Sequence, residues 1–198
     1  MLNSAWPSLY WQLYDYYGVP VAAYYATKKA CEPVQAIYNY KDSQVYVVNE
    51  GLLEGEITVS VKVYDENSAL LMEDARTIET SYRNTVKAFD MKKFDGRPHF
   101  IALEIADKDG KALADNFYCI AAQRNQYVWD DYTWYDTPIS AYSDLRFAFA
   151  QSEADVTMEV SEADGVYTVV LANNSQVISY MNILKAKDKD GNLVVPAV

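Results

Sequence analysis

Two cysteines, one histidine, seven glycines and six prolines are all that the 198 residues contain of those types, and each shortage closes a route. Cys31 and Cys119 stand apart with no CxxC pair, so neither a disulfide framework nor a zinc site can be built from them. Pairing with each other stays open, but two buried thiols are the expectation. Any Ser-His-Asp or Cys-His mechanism would depend on His99, which sits beside Pro98 at the start of an expected strand. Nothing around it recommends that role. No apolar run approaches the roughly 20 residues of a membrane-spanning helix. The start, Met1-Leu2-Asn3-Ser4-Ala5-Trp6-Pro7, lacks the basic stretch followed by an apolar one that marks a secretory leader. Positive charge is scarce as well: 17 Lys and Arg stand against 28 Asp and Glu, for a net charge of −11. With no basic stripe to offset it, such a surface repels phosphate backbones, and nucleic acid is excluded as a partner. Solubility is the ordinary reading of the charge.

Aromatic side chains are plentiful, at 14% of the chain with 18 tyrosines. Tyrosine suits half-buried strand positions and sugar- or domain-contacting surfaces, because one end is apolar and the other forms hydrogen bonds. The first 33 residues are rich in Trp and Tyr and carry one helical signal. Pro20 suits a first helical position, Ala22, Ala23, Ala26 and Ala30 favour helix, Lys28 and Lys29 complement the C-terminal dipole, and Pro33 ends the run. A single helix needs another surface to cover its apolar face.

From Val34 the period changes to two. Expected strands run over Gln35–Tyr40, Val45–Asn49, Ile57–Val63, Leu70–Ile78, Thr85–Met91, Ile101–Ile105 and Leu113–Ala121. The turn Asp107-Lys108-Asp109-Gly110 is expected to place Asp-Gly in positive-φ positions. Seven short strands without helices over 34–123 predict an immunoglobulin-like β-sandwich. Residues 124–154 read as an ordered aromatic connector, with no glycine or serine run. Over 155–198, strands are expected at Val156–Val160, Val166–Ala172, Ile178–Lys187 and Leu193–Val198, with a second Asp-Lys-Asp-Gly turn at Asp188–Gly191. Their order repeats that of the first four strands of the sandwich, which predicts a partial second sandwich with an uncovered apolar face. Neither Asp-Lys-Asp-Gly turn carries the further ligands of a calcium loop, so both are read as hairpin turns. No metal or other cofactor is expected. The fold class is therefore all-β: immunoglobulin-like β-sandwich modules preceded by a short helical segment.

Several motifs in order carry a resemblance. Leu2-Asn3-Ser4-Ala5-Trp6-Pro7, then Tyr16-Tyr17-Gly18-Val19-Pro20, then Trp134-Tyr135-Asp136-Thr137-Pro138-Ile139 resemble glycoside hydrolase family 2, of the β-mannosidase or exo-β-glucosaminidase type. The resemblance implies that residues 1–33 are the last strand and helix of a (β/α)8 catalytic barrel, followed by two sandwich modules. It also implies that the two catalytic glutamates of such a retaining glycosidase lie on upstream barrel strands, so that no catalytic residue is expected in this chain. Retaining enzymes set one carboxylate as nucleophile and a second as acid/base. Asp107, Asp109, Asp130 and Asp131 fall at turns or in the connector, where solvation explains them. Asn3 and Trp6 would be the substrate-proximal residues of the parent enzyme, with barrel packing the plainer reading for Trp6 and Trp11. The expected function is a non-catalytic accessory region that props the barrel of an enzyme releasing β-linked mannose or glucosamine. The alternative is a carbohydrate-binding module using Tyr127, Trp129, Tyr132, Trp134 and Tyr135, against which stands burial of these rings between the two sandwiches. Expected partners are the catalytic barrel, a glycan, and a second copy of the chain through the incomplete second sandwich. The parent is expected to be periplasmic or secreted.

Overall fold

The computed structural model describes Trp6 and residues 12–94 and 96–194. Asn3, Trp11 and most of the expected barrel-strand motif lie outside the described residues.

The chain enters through a tight turn that bridges Tyr14 and Pro20. Asp15 builds it: its Oδ1 accepts from the amides of Tyr17 (2.8 Å) and Val19 (2.9 Å), while Gly18 takes a φ of 78° that costs a residue without Cβ nothing. Helix α1 then runs Ala22–Ala30, two residues later than expected at its start. Pro20 is held in the bridge and so stands before the helix, not at its first position. No residue of α1 is buried. Tyr24 packs on Tyr14 of the entry turn at 5.2 Å, and polar ties join the helix to the sandwich. Lys29 Nζ reaches Asp115 at 2.9 Å and Glu32 at 3.0 Å. Gln35 Nε2 donates to the carbonyls of Ala30 and Glu32, both at 2.9 Å, which satisfies acceptors that a helix end leaves open.

Seven strands follow, matching the expected set to within a few residues at each end. They are β1 (Val34–Asn39), β2 (Gln44–Asn49), β3 (Gly55–Asp65), β4 (Leu70–Thr80), β5 (Asn84–Phe89), β6 (His99–Asp107) and β7 (Ala112–Ile120). They form an antiparallel three-stranded sheet β1-β2-β5 and an antiparallel four-stranded sheet β4-β3-β6-β7. Strict alternation places Ile57, Val59, Val61 and Val63 of β3 inward beside Ile101, Leu103 and Ile105 of β6, opposite Val45 and Val47 of β2. Each such side chain contributes about 1.5–3 kcal/mol on burial, so this face is what fixes the register. Edge to edge, β1 and β7 are stitched by Tyr118 Oη accepting from the Tyr38 amide (3.2 Å) and by Asn116 Nδ2 donating to the Ala36 carbonyl (3.2 Å).

The turn between β6 and β7 differs from expectation in one respect. Only Gly110 has positive φ, at 80°. Asp109 needs none, because Asp107 Oδ1 accepts from the amides of Asp109 and Lys111, both at 2.9 Å, and shapes the turn from its first position. The turn at Asp65–Ala69 uses the same device with Ser68 at φ 68°, and so does Asp188–Asn192. In each the first aspartate is occupied by backbone amides, as a hairpin turn requires.

Beyond β7 the chain forms a two-stranded ladder of β8 (Gln126–Tyr127) and β9 (Ile139–Ala141), then a hairpin of β10 (Val156–Ala163) and β11 (Val166–Asn173). Of the four expected strands, two form among the described residues, and most of the one expected over Leu193–Val198 lies outside them. The strand expected over Ile178–Lys187 does not form; among the described residues past β11, an isolated bridge joins Lys187 and Leu193. The reason is competition: the Ile178 amide donates to Ser68 Oγ at 3.0 Å, and Tyr180 is drawn onto the outer face of the larger sheet. There Phe100, wholly buried although it points away from the sandwich core, meets Tyr180 at 5.1 Å and Phe147 at 5.1 Å, while Phe117 stacks on Tyr180 at 4.9 Å. Ser68 Oγ also meets Gln151 Oε1 at 2.9 Å, so one turn and one aromatic cluster join the sandwich to the segment after it.

Candidate functional site

The connector is a closed excursion. Its base is the β8–β9 ladder, extended by the Val128 amide donating to the Pro138 carbonyl at 2.8 Å. Inside it, Trp129–Asp131 makes one 3-10 turn. Thr133 and Asp136 then close on each other: the Thr133 amide donates to the Asp136 carbonyl (2.9 Å) and the Asp136 amide to Thr133 Oγ1 (3.1 Å). Trp134 and Tyr135 are the two residues held at the tip of that turn, with ring centroids 5.0 Å apart and edge to face. Tyr127 and Trp129 form a second tilted pair at 5.4 Å. The sequence could not reveal the ladder, since two- and three-residue strands carry no periodic signal.

Burial of these rings between two sandwiches was the favoured expectation, and the structure overturns it. Trp134 is 87% exposed, Trp129 68%, Tyr135 74%, and Tyr127 and Tyr132 are exposed as well. The inter-segment burial falls instead to Phe100, Phe117, Phe147 and Tyr180, which sequence reasoning missed. The signal available was Phe100 next to Ile101, two large apolar neighbours in a strand that should alternate. Trp6 is also exposed, at 63%, and stands apart from both ring pairs in the chain.

Within the loop itself the charges are of one sign. Asp130, Asp131 and Asp136 are exposed, and no Lys or Arg occurs between Arg124 and Arg146. Arg124 is engaged with the Tyr40 carbonyl and with Ser43 Oγ. Arg146 is committed to Asp144 at 2.6 Å, and its hydrogen bonds hold that carboxyl down at about 2.

Clefts open around the sandwich among the described residues. One, about 630 Å³, lies between α1, β7 and Met181–Ile183, with Tyr25, Phe117 and Tyr118 in its walls. Another, about 260 Å³, opens at the end of the sandwich beside Lys92, Lys93, Arg124 and His99. Two more lie beside Val19, Pro20 and Leu184 and beside Tyr40 and Tyr142. Among the described residues, none of the four is lined by Asp or Glu. No group of three or more His, Cys, Asp or Glu capable of holding a metal occurs among the described residues, and none of their helices is long and apolar enough to cross a membrane. His99 Nδ1 lies 2.8 Å from the Arg97 carbonyl in a buried position. Both thiols are free; Cys119 is half-buried, but Cys31 is exposed, against the expectation that both are buried.

Comparison with known proteins gives these features a setting. Residues 134–198 match the family model described as the exo-β-D-glucosaminidase Ig-fold domain. The likeness is to exo-β-D-glucosaminidases. The enzyme of that name from Arthroderma benhamiae is 31% identical over 201 residues, and that from Hypocrea jecorina 29% over 208, each alignment covering 99% of this chain and 23% of the relative. The exo-chitosanase of Amycolatopsis orientalis, solved in complex with PNP-β-D-glucosamine, superposes with a TM-score of 0.84 at 27% identity, over 99% of this chain and 24% of that one. The chain thus spans about a quarter of the length of these relatives. The immunoglobulin-like, all-β architecture is shared with the superposed quarter of that enzyme. The matches carry the glucosaminidase name and do not support the β-mannosidase type specifically.

Proposed function

We propose that this chain serves as a non-catalytic accessory region of a retaining glycoside hydrolase that releases β-linked glucosamine. The observation that carries the reading is the superposition of 99% of the chain on a quarter of an exo-chitosanase. Chemistry agrees with it. Retaining cleavage needs two carboxyl groups about 5–5.5 Å apart on either side of the sugar, and among the described residues no Asp or Glu lines the clefts above. In this reading Asn3 and Trp6 lie near the substrate in the parent enzyme, and α1 is the last barrel helix. Its anchorage through Lys29–Asp115 and Gln35 transmits the position of the sandwich to the barrel, which is the partner. The test is release of p-nitrophenol from PNP-β-D-glucosamine by the purified chain. The expected rate is that of buffer; turnover abolished by substituting one of the chain's own carboxylates refutes the proposal.

A further inference from the structure

We infer that the tip of the 128–138 excursion is a binding surface for cationic amino-sugar chains. The inference rests on the accessory reading above and names the ligand class that this loop would take. Three observations converge. Trp134 and Tyr135 occupy the apex of a turn closed by three Thr133–Asp136 hydrogen bonds, so the rings are presented by a fixed backbone and little order is lost on binding. They and Trp129 are among the most exposed large apolar side chains of the molecule, and aromatic faces stack on the C–H faces of pyranose rings while their edges stay in water. Asp130, Asp131 and Asp136 stand among them with no described basic residue paired to them, on a chain of net charge −11. An interface core with another protein is depleted of Asp. A chain of glucosamine units supplies what this loop lacks, one ammonium group per sugar, and pyranose faces between them. An N-acetylated chain has the same faces and no charge.

The experiment is calorimetric titration of the 198-residue chain with a glucosamine oligomer and with its N-acetylated counterpart, at about pH 5.5 and about pH 9. At the lower value amines and carboxylates are both charged; at the higher the amines are neutral. Saturable binding of the glucosamine oligomer at the lower pH is expected, weakened at least about tenfold at the higher pH and by added salt. Joint replacement Trp129→Ala and Trp134→Ala should weaken it by a similar factor. Joint replacement Asp130→Asn and Asp131→Asn should remove most of the pH dependence. These side chains are solvent-exposed, so the variants keep the sandwich core. Absence of saturable binding, equal affinity for the two oligomers, or binding indifferent to the tryptophan replacements overturns the inference. None of these results touches the accessory role, which is tested by p-nitrophenol release from PNP-β-D-glucosamine.

Discussion

Asn49 has no exposed surface, and its side chain closes the end of β2. Nδ2 donates to the carbonyls of Leu53 (2.7 Å) and Ser81 (2.9 Å), with Thr80 Oγ1 at 3.1 Å, and Oδ1 accepts from the Gly51 amide at 3.0 Å. Gly51 itself is pressed against Pro33, where an added Cβ would come within 2.9 Å of the proline ring. Asn49→Ala takes this donor from the Leu53 and Ser81 carbonyls and from Thr80 Oγ1 and leaves a void, while the Gly51 amide keeps its bond to the Pro33 carbonyl at 3.1 Å. A loss of roughly 2–4 kcal/mol is expected from urea unfolding; a change within experimental error would show that water replaces the side chain. At the same scale the two thiols separate. Burial pushes the Cys119 thiol pKa up, which keeps it protonated near neutral pH, whereas Cys31 is exposed. Since the thiolate is the nucleophile, mass spectrometry after brief iodoacetamide treatment should find Cys31 modified and Cys119 intact. The reverse order would contradict the placement of β7.

Elements differ in how firmly they are held. In β3 and β6 the alternating valines, isoleucines and leucine are almost fully buried. In the β10–β11 hairpin the facing pairs Met158–Leu171 and Val160–Val169 share one apolar face that stays open, with Met158 60% exposed. A two-stranded hairpin is marginal by itself, so amides of β10 and β11 should exchange with deuterium at least about tenfold faster than those of β3 and β6. Equal protection would mean that another surface covers the hairpin. The same contrast explains what could be read in advance. Strands β1 to β7 were legible because Ile57, Val59, Val61 and Val63 advertise a buried face with period two. Ile178–Lys187 shows strand-like residues too, but a strand is a pairing and not a composition. Ser68 and the Phe100–Phe117 platform captured Ile178 and Tyr180 first. The connector misled in the opposite direction, since its tryptophans look like core until the Thr133–Asp136 turn is seen to hold two of its rings outward. Helix α1 was found from its alanines, while Gln35, the side chain that ends it, left no mark that the sequence alone could show.

At the scale of the whole molecule, the sandwich, the aromatic joint and the open hairpin face describe a body with one finished core and several surfaces awaiting contact. The attachments of α1, the Phe100 cluster and the Ser68 turn orient the first sandwich, the helix and the following segment toward one another. In the proposed role such a body would hold a barrel in one geometry, which matters because small misplacements of reacting groups are costly in rate. The most direct measurement uses the Amycolatopsis exo-chitosanase with its matching segment replaced by this chain, beside the same enzyme with that segment deleted. Hydrolysis of PNP-β-D-glucosamine by the folded chimaera, and little or none by the deleted enzyme, is the predicted result. A chimaera that folds yet is as inactive as the deletion would contradict the account.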